Sequence, residues 1–280
     1  MSHFKCSSVY NNYNNPQARE FLSDKIGQTN NYNIHVNKIN KNKLIKTIYI
    51  YKYYKKSSGT DLDKLNHFCK FVPRQTLSSF LVRNELFKLI QDVHGDIIEG
   101  GVFVGGGLAA FAQLSAIYEP YNHIRQIVGF DTFGGYPEFS DKDKTRFSPP
   151  HAKTGGLKAD VLKDLEECFK LYDLNRPLGH IPRVELVKGV AEKTIPKYVK
   201  DNPHLVVAML FLDFNLYSPT KAAIDNFLPR MPKGSVIAFD ELSFKAFPGE
   251  TLAVLDSIGL SNLRIKRFTH NPHISYAVLE

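Results

Sequence analysis

An α/β fold with a mostly parallel sheet is what three features of this 280-residue chain predict together. Short apolar, β-rich runs alternate with amphipathic helical patterns from about residue 77 onward, acidic residues stand where several runs stop, and a glycine-rich segment joins the first run to a helix. Alternating β and α units favour parallel strands with helices on both faces, because each crossover must return the chain to the same edge. Hydrophobic residues at 43% and charged residues at 23% suit a globular protein better than a disordered or membrane one.

Residues 1–66 read as an N-terminal extension, partly helical or irregular, and residues 67–280 as the main α/β domain. The extension is rich in Asn, and its one apolar stretch, residues 44–54, is interrupted by lysines. The formal charge of +8 raises the question of nucleic acid. Much of the excess, however, lies in Lys38, Lys41, Lys43, Lys46, Lys52, Lys55 and Lys56, while the rest of the chain is nearer balance. A solvated extension, or a surface that attracts anionic substrates such as nucleotide sugars, explains this pattern without nucleic-acid binding. Cys6, Cys69 and Cys168 are odd in number and widely spaced, which suggests neither a disulfide framework nor a zinc cluster and fits a reducing, cytoplasmic setting. The N-terminus shows no apolar leader, and the apolar runs fall short of the roughly 20 residues that span a bilayer. No membrane partner is expected.

Phe80, Leu81, Leu86, Phe87, Leu89 and Ile90 recur at helical spacing, predicting a helix beside the first strand. Buried strands are predicted at 97–102, 126–130, 184–187, 206–213 and 235–239, with helices at 108–118, 161–171, 220–228 and 251–258. Residues 263–268 and 275–279 close the chain as an antiparallel pair. The irregular stretch 132–156 directly follows the second strand and is long enough to be a lid or a mobile loop.

The chemistry concentrates at strand ends. EGGVFVGGG, residues 99–107, lies between a strand and a helix; its glycines let the backbone approach a ligand, and the helix N-terminus favours negative charge. The spacing departs from the dinucleotide pattern G-x-G-x-x-G, and Glu99 beside the glycines suits the ammonium of an amino-acid moiety better than a diphosphate. In GFDTFGGYP, Asp131 ends the second strand and is a candidate for ribose hydroxyls, or equally a turn residue. Glu192, after VELVKGVA, falls near the adenine end of such a site or is a solvated acid. MLFLDFNLYSPT places Asp213, and VIAFDELS places Asp240 and Glu241, at two further strand ends. Clustered carboxylates repel unless a cation intervenes, and oxygen-only ligands favour magnesium, calcium or manganese. Such a cation would lower a substrate hydroxyl's pKa while a carboxylate accepts the proton. His151 in the irregular stretch is a further candidate contact or base, and Tyr217 and Arg230 are candidate substrate contacts that packing explains equally well.

With ELFKLI, EGGVFVGGG, GFDTFGGYP, VKGVAEKTIP, LDFNLYSPTKAAIDNFLPRMPKG and IAFDEL in that order, the chain from residue 72 to 280 resembles the macrocin O-methyltransferase (TylF-type) family. The resemblance implies a Rossmann-like class I methyltransferase fold, with a mostly parallel seven-stranded sheet ending in an antiparallel strand and helices on both faces. It implies S-adenosylmethionine held around Glu99, Gly100, Gly101, Val102, Gly105, Asp131, Glu192 and Asp213. It further implies Mg2+ at Asp213, Asp240 and Glu241, with Asp213 doubling as general base, and a sugar, nucleotide-sugar or related small-molecule acceptor. Related enzymes suggest a homo-oligomer. Asn215, where the family commonly has Asp, and Glu241, where it often has a second Asp, depart from the pattern. Two other classes remain open at this point: a non-catalytic Rossmann-like binding protein, which would lack the metal, and a nicotinamide-dependent dehydrogenase, which would prefer NAD.

Overall fold

The computed structural model describes residues 41–280, with side chains from residue 49; Cys6, Lys38 and the rest of the expected extension before residue 41 lie outside the described residues. Helix α1 (Lys41–Lys56) spans the lysine-interrupted apolar stretch, and Lys55 and Lys56 in its last turn suit the negative end of the helix dipole. In α2 (Asp61–Asn66) a capping box starts the helix: Thr60 Oγ1 accepts from the Asp63 N–H at 3.1 Å, and the Asp63 carboxylate accepts from the Thr60 N–H at 2.8 Å. Phe71 lies against Tyr53 and Tyr54, with ring centroids 5.7 and 5.2 Å away. These contacts cross the boundary expected at residue 66.

The α/β unit then runs α3 (Arg74–Leu89), β1 (Asp96–Gly100), α4 (Gly106–Tyr118), β2 (Ile127–Asp131), α5 (Leu162–Leu174), β3 (Val184–Lys188), α6 (Ala191–Asp201) and β4 (Val207–Leu212). It continues through α7 (Tyr217–Phe227), β5 (Val236–Phe239), α8 (Gly249–Ser257), β6 (Lys266–Arg267) and β7 (Ser275–Val278). Seven strands form one sheet in the order β3-β2-β1-β4-β5-β7-β6. Pairings among β1 to β5 are parallel, whereas β7 runs antiparallel to both β5 and β6. That is the expected sheet.

Successive strand residues face opposite layers, as the strand period of two requires. Ile97, Phe211 and Ala238 pack with Leu86, Phe87, Leu108 and Phe111 from α3 and α4. Their neighbours Ile98, Leu212 and Ile237 pack with Ile195, Ile224, Phe227 and Val254 from α6, α7 and α8. β4 is buried along all six residues, which explains why VAMLFL reads as one continuous apolar run.

The structure departs from expectation in three places. Helix α6 contains Pro196, which removes one backbone donor and weakens the helical signal of its segment; tertiary burial of Ala191 and Ile195 overrides it. The last strand before β7 shrinks to Lys266–Arg267, both exposed. Within the long irregular stretch, a 3-10 turn at Asp141–Asp143 is held by its own capping box with Ser140.

Candidate active site

In an open parallel sheet the crevice forms where the strand order reverses, here between β1 and β4. The carboxyl ends of β2, β1, β4 and β5 are consecutive in the sheet, and they carry Asp131, Glu99, Asp213, Asp240 and Glu241. Gly101, at φ +90°, holds β1 against the chain leaving β4: a Cβ there would meet the Asp213 carbonyl oxygen at 2.1 Å. Across the same seam the Asp213 N–H donates to the Gly100 carbonyl at 2.7 Å. No side chain fits between them.

Asp131 ties the β1 and β2 turns together. Its Oδ2 accepts from the Phe103 N–H at 2.9 Å and its Oδ1 from the Phe133 N–H at 2.6 Å. Both donors belong to non-glycine residues in the left-handed region, at φ 50° and 51°, a conformation that persists when its surroundings impose it. Burial pushes the Asp131 carboxyl up while these N–H groups pull it back.

Gly101, Asp131, Glu192 and Asp213 line one cavity of about 150 Å³ with Tyr136 and Asn215. Ligand pockets commonly measure about 300–1,000 Å³, so the cavity is narrow. Tyr136, from the irregular stretch, narrows it by donating through its hydroxyl to Asn215 Oδ1 at 2.8 Å. Asn215 sits in the left-handed region at φ 63° and bonds the Glu241 side chain in turn. Glu192 lies in the first turn of α6, and its buried Oε2 has no hydrogen-bond partner among the described residues.

Other expected cofactor residues also make packing contacts. Val102 joins the core. A Cβ on Gly100 would strike the Phe214 ring at 2.2 Å, and one on Gly105 would meet a Leu165 methyl at 2.3 Å. Glu99, 2% exposed, pairs with Arg83 at 3.4 Å. Of the remaining candidates, Tyr217 donates its hydroxyl to Asp256 at 2.7 Å, and Arg230 binds the Pro203 carbonyl at 2.8 Å. His151 lies beside Phe247, with ring centroids 6.0 Å apart.

Negative charge accumulates behind the cavity. Burial, then Asp240, Glu99 and Glu241, raise the Asp213 carboxyl well above its usual range, and Arg83 opposes them. Glu241 is pushed up to about 7, mainly by burial, with Asn215 holding it down and Asp240 raising it. Glu250 is fully buried at the start of α8, and its Oε1 accepts from the Glu241 N–H at 3.0 Å. Sequence reading missed Arg83, Tyr136 and Glu250. Tyr136 stands within GFDTFGGYP and Glu250 ten residues after Asp240, yet nothing in the sequence shows that either side chain turns toward the site. Among the described residues no group of three or more acidic, histidine or cysteine side chains is arranged to hold a metal ion.

This sheet order, with its crevice of strand-end acids and close-packed glycines, is that of a Rossmann-like class I methyltransferase. The chain belongs to the macrocin-O-methyltransferase (TylF) family, whose model matches residues 10–256. The structure is similar to the crystal structure of CalS11, calicheamicin methyltransferase, at 32% identity and TM-score 0.81, covering 87% of this chain and 94% of that one. The apo structure of CalS11, described as a TDP-rhamnose 3'-O-methyltransferase, aligns with TM-score 0.73 over 87% of this chain and 96% of that chain at 32% identity. NovP, an O-methyltransferase at 19% identity and TM-score 0.57 over 72% of this chain and 79% of its own, shares the fold. A curated relative from Streptomyces olivaceus, 8-demethyl-8-(2,3-dimethoxy-alpha-L-rhamnosyl)-tetracenomycin-C 4'-O-methyltransferase, is 25% identical over 159 residues, 56% of this chain. That alignment spans 57% of the relative's length. No helix among the described residues is long and apolar enough to cross a membrane.

Proposed function

We propose that this protein transfers the methyl group of S-adenosylmethionine to a hydroxyl of a sugar, presented as a deoxysugar, nucleotide sugar or glycoside. The observation that carries the reading is Asp213: a buried carboxylate at the cofactor cavity, made more basic by burial and by Asp240, at the strand end where this family places its base. Similarity to proteins whose names specify rhamnosyl acceptors supports the sugar.

Asp131 would accept from ribose hydroxyls, and the unpartnered Glu192 Oε2 would accept from the adenine amino group. Gly101 lets the amino-acid end approach the backbone. Asp213 takes the acceptor's hydroxyl proton as the oxygen bonds the methyl carbon and the carbon–sulfur bond breaks, leaving S-adenosylhomocysteine. Alignment is the protein's main contribution to such a displacement.

Magnesium at Asp213, Asp240 and Glu241 belongs to the same proposal. The donors are hard oxygens, and the local excess of carboxylates over Arg83 calls for positive charge. Glu241 would have to leave Asn215 to complete the set. A bound cation would supply Lewis-acid stabilisation of the developing alkoxide. We assign the domain to residues 67–280 and the reaction to the cytoplasm, on the unpaired Cys69 and Cys168.

Calorimetric titration with S-adenosylhomocysteine, with and without Mg2+ and with NAD as control, tests the reading. Micromolar binding of S-adenosylhomocysteine is expected. A preference for NAD, or no binding, would overturn it.

A further inference from the structure

A second, larger cleft of about 940 Å³ is bounded by α1, α3 and α4 and shares no lining residue with the cofactor cavity. The chemistry of its walls is one-sided: Arg74, Thr76, Ser79 and Arg83 supply donors, Tyr49 and Phe80 supply aromatic faces, and none of its described lining residues is acidic. Helices α3 and α4 both start at this cleft without a side-chain N-cap bond, so their positive dipole ends add to the arginines. Arg83 is itself 9% exposed, and its Nε has no hydrogen-bond partner among the described residues.

The cleft lies at the reactive edge of the sheet. Ile90, after the end of α3, and Gly95, before β1, share Arg125 through 3.0 and 2.6 Å bonds, while Arg83, further back along α3, reaches Glu99 near the end of β1. Helix α3 therefore runs opposite to β1, and its N-terminus projects past the carboxyl end of the sheet. Arg83 also acts on the charges of Asp213 and Asp240. One side chain thus joins the basic cleft to the acidic site.

A ligand that spans both regions must be anionic and aromatic at one end and carry neutral hydroxyls at the other. We propose that the cleft receives the nucleoside diphosphate of a nucleotide-linked acceptor, with its sugar reaching Asp213 from the α3 side. This rests on the sugar O-methyltransferase reading and narrows its acceptor class. Exposed Arg74 contacts the diphosphate, and the faces of Tyr49 and Phe80 take the base.

The test uses the full chain and thymidine diphosphate as probe. Calorimetry should show thymidine diphosphate binding, weakened about tenfold or more in Arg74→Glu, as expected for a lost charge-assisted contact, and largely restored in Arg74→Lys. S-adenosylhomocysteine affinity should stay unchanged in both variants. Equal thymidine diphosphate affinity in wild type and Arg74→Glu overturns the proposal. So does loss of S-adenosylhomocysteine affinity in that variant, which would give the cleft to the cofactor's carboxylate. Methyl transfer to methyl rhamnoside as efficient as to TDP-rhamnose overturns the diphosphate site while leaving sugar methylation intact. Failure to bind S-adenosylhomocysteine at all removes the functional reading, and this inference with it.

Discussion

Asp213 combines two properties that rarely coexist at no cost: deep burial and a crowd of like charges. Both favour its protonated form, so the base becomes available only as pH rises. Without a bound cation the acid limb of kcat should therefore fall above the ordinary carboxylate range, and saturating Mg2+ should move it down. Asp213→Asn should lower kcat by about 100-fold or more while S-adenosylhomocysteine affinity, measured by calorimetry, changes little; near-normal turnover would remove Asp213 from the base role. Glu99 makes a separate prediction. Its carboxyl is raised from 4.5 to about 7, chiefly by burial against the opposing pull of Arg83. Between those values the folded state holds a proton that the unfolded chain has released, so this contribution to stability is full below pH 4.5 and is lost as pH rises through 7. Glu99→Gln should flatten the decline of Tm between pH 5 and 8, and equal slopes in both proteins would show that other groups set it. For Asp131→Ala, loss of the clamp on Phe103 and Phe133 should weaken S-adenosylhomocysteine binding by about 1 to 3 kcal/mol. Unchanged affinity would leave Asp131 a purely structural clamp.

At the scale of elements, strands that carry continuous apolar runs were legible, as were the acids that stop them. β4 and β5 are examples, because burial on both faces leaves one hydrophobic signal whatever the surroundings. Helix α6 was not legible: Pro196 argues locally against a helix that packing of Ile195 makes favourable. The site divides in the same way. Asp131 and Asp213 could be found from strand ends, whereas the Tyr136–Asn215–Glu241 chain and the Glu250 support depend on where a loop and α8 come to rest. That chain gives the irregular stretch a testable function. Tyr136→Phe removes a donor from Asn215 and should cost about 1 kcal/mol in holding the stretch over the cavity. Faster S-adenosylhomocysteine release in stopped-flow, with cleavage by trypsin enhanced at Lys142, Lys144 or Arg146, is expected; identical rates would mean the hydroxyl does not secure this cover.

Across the whole molecule, two apolar layers sandwich a sheet whose central members are β1, buried along four of its five residues, and β4, buried along all six. Local opening should follow that enclosure. In hydrogen exchange, amides of β1 and β4 should be the slowest and those of α1 among the fastest; early exchange in β4 would contradict the layered core. The order of strands in the sheet also bears on how the protein is made. β7 lies between β5 and β6, and β6 pairs only with β7 among the described strands. During synthesis, every strand through β5 can assemble while the outer edge of β5 still lacks its neighbour, and β6 emerges with nothing to bind. Residues 275–278 must therefore slot between two elements already outside the ribosome. Until they do, the nascent chain presents an open, wholly apolar strand edge, the kind of surface that recruits chaperones or a second copy of the same unfinished sheet.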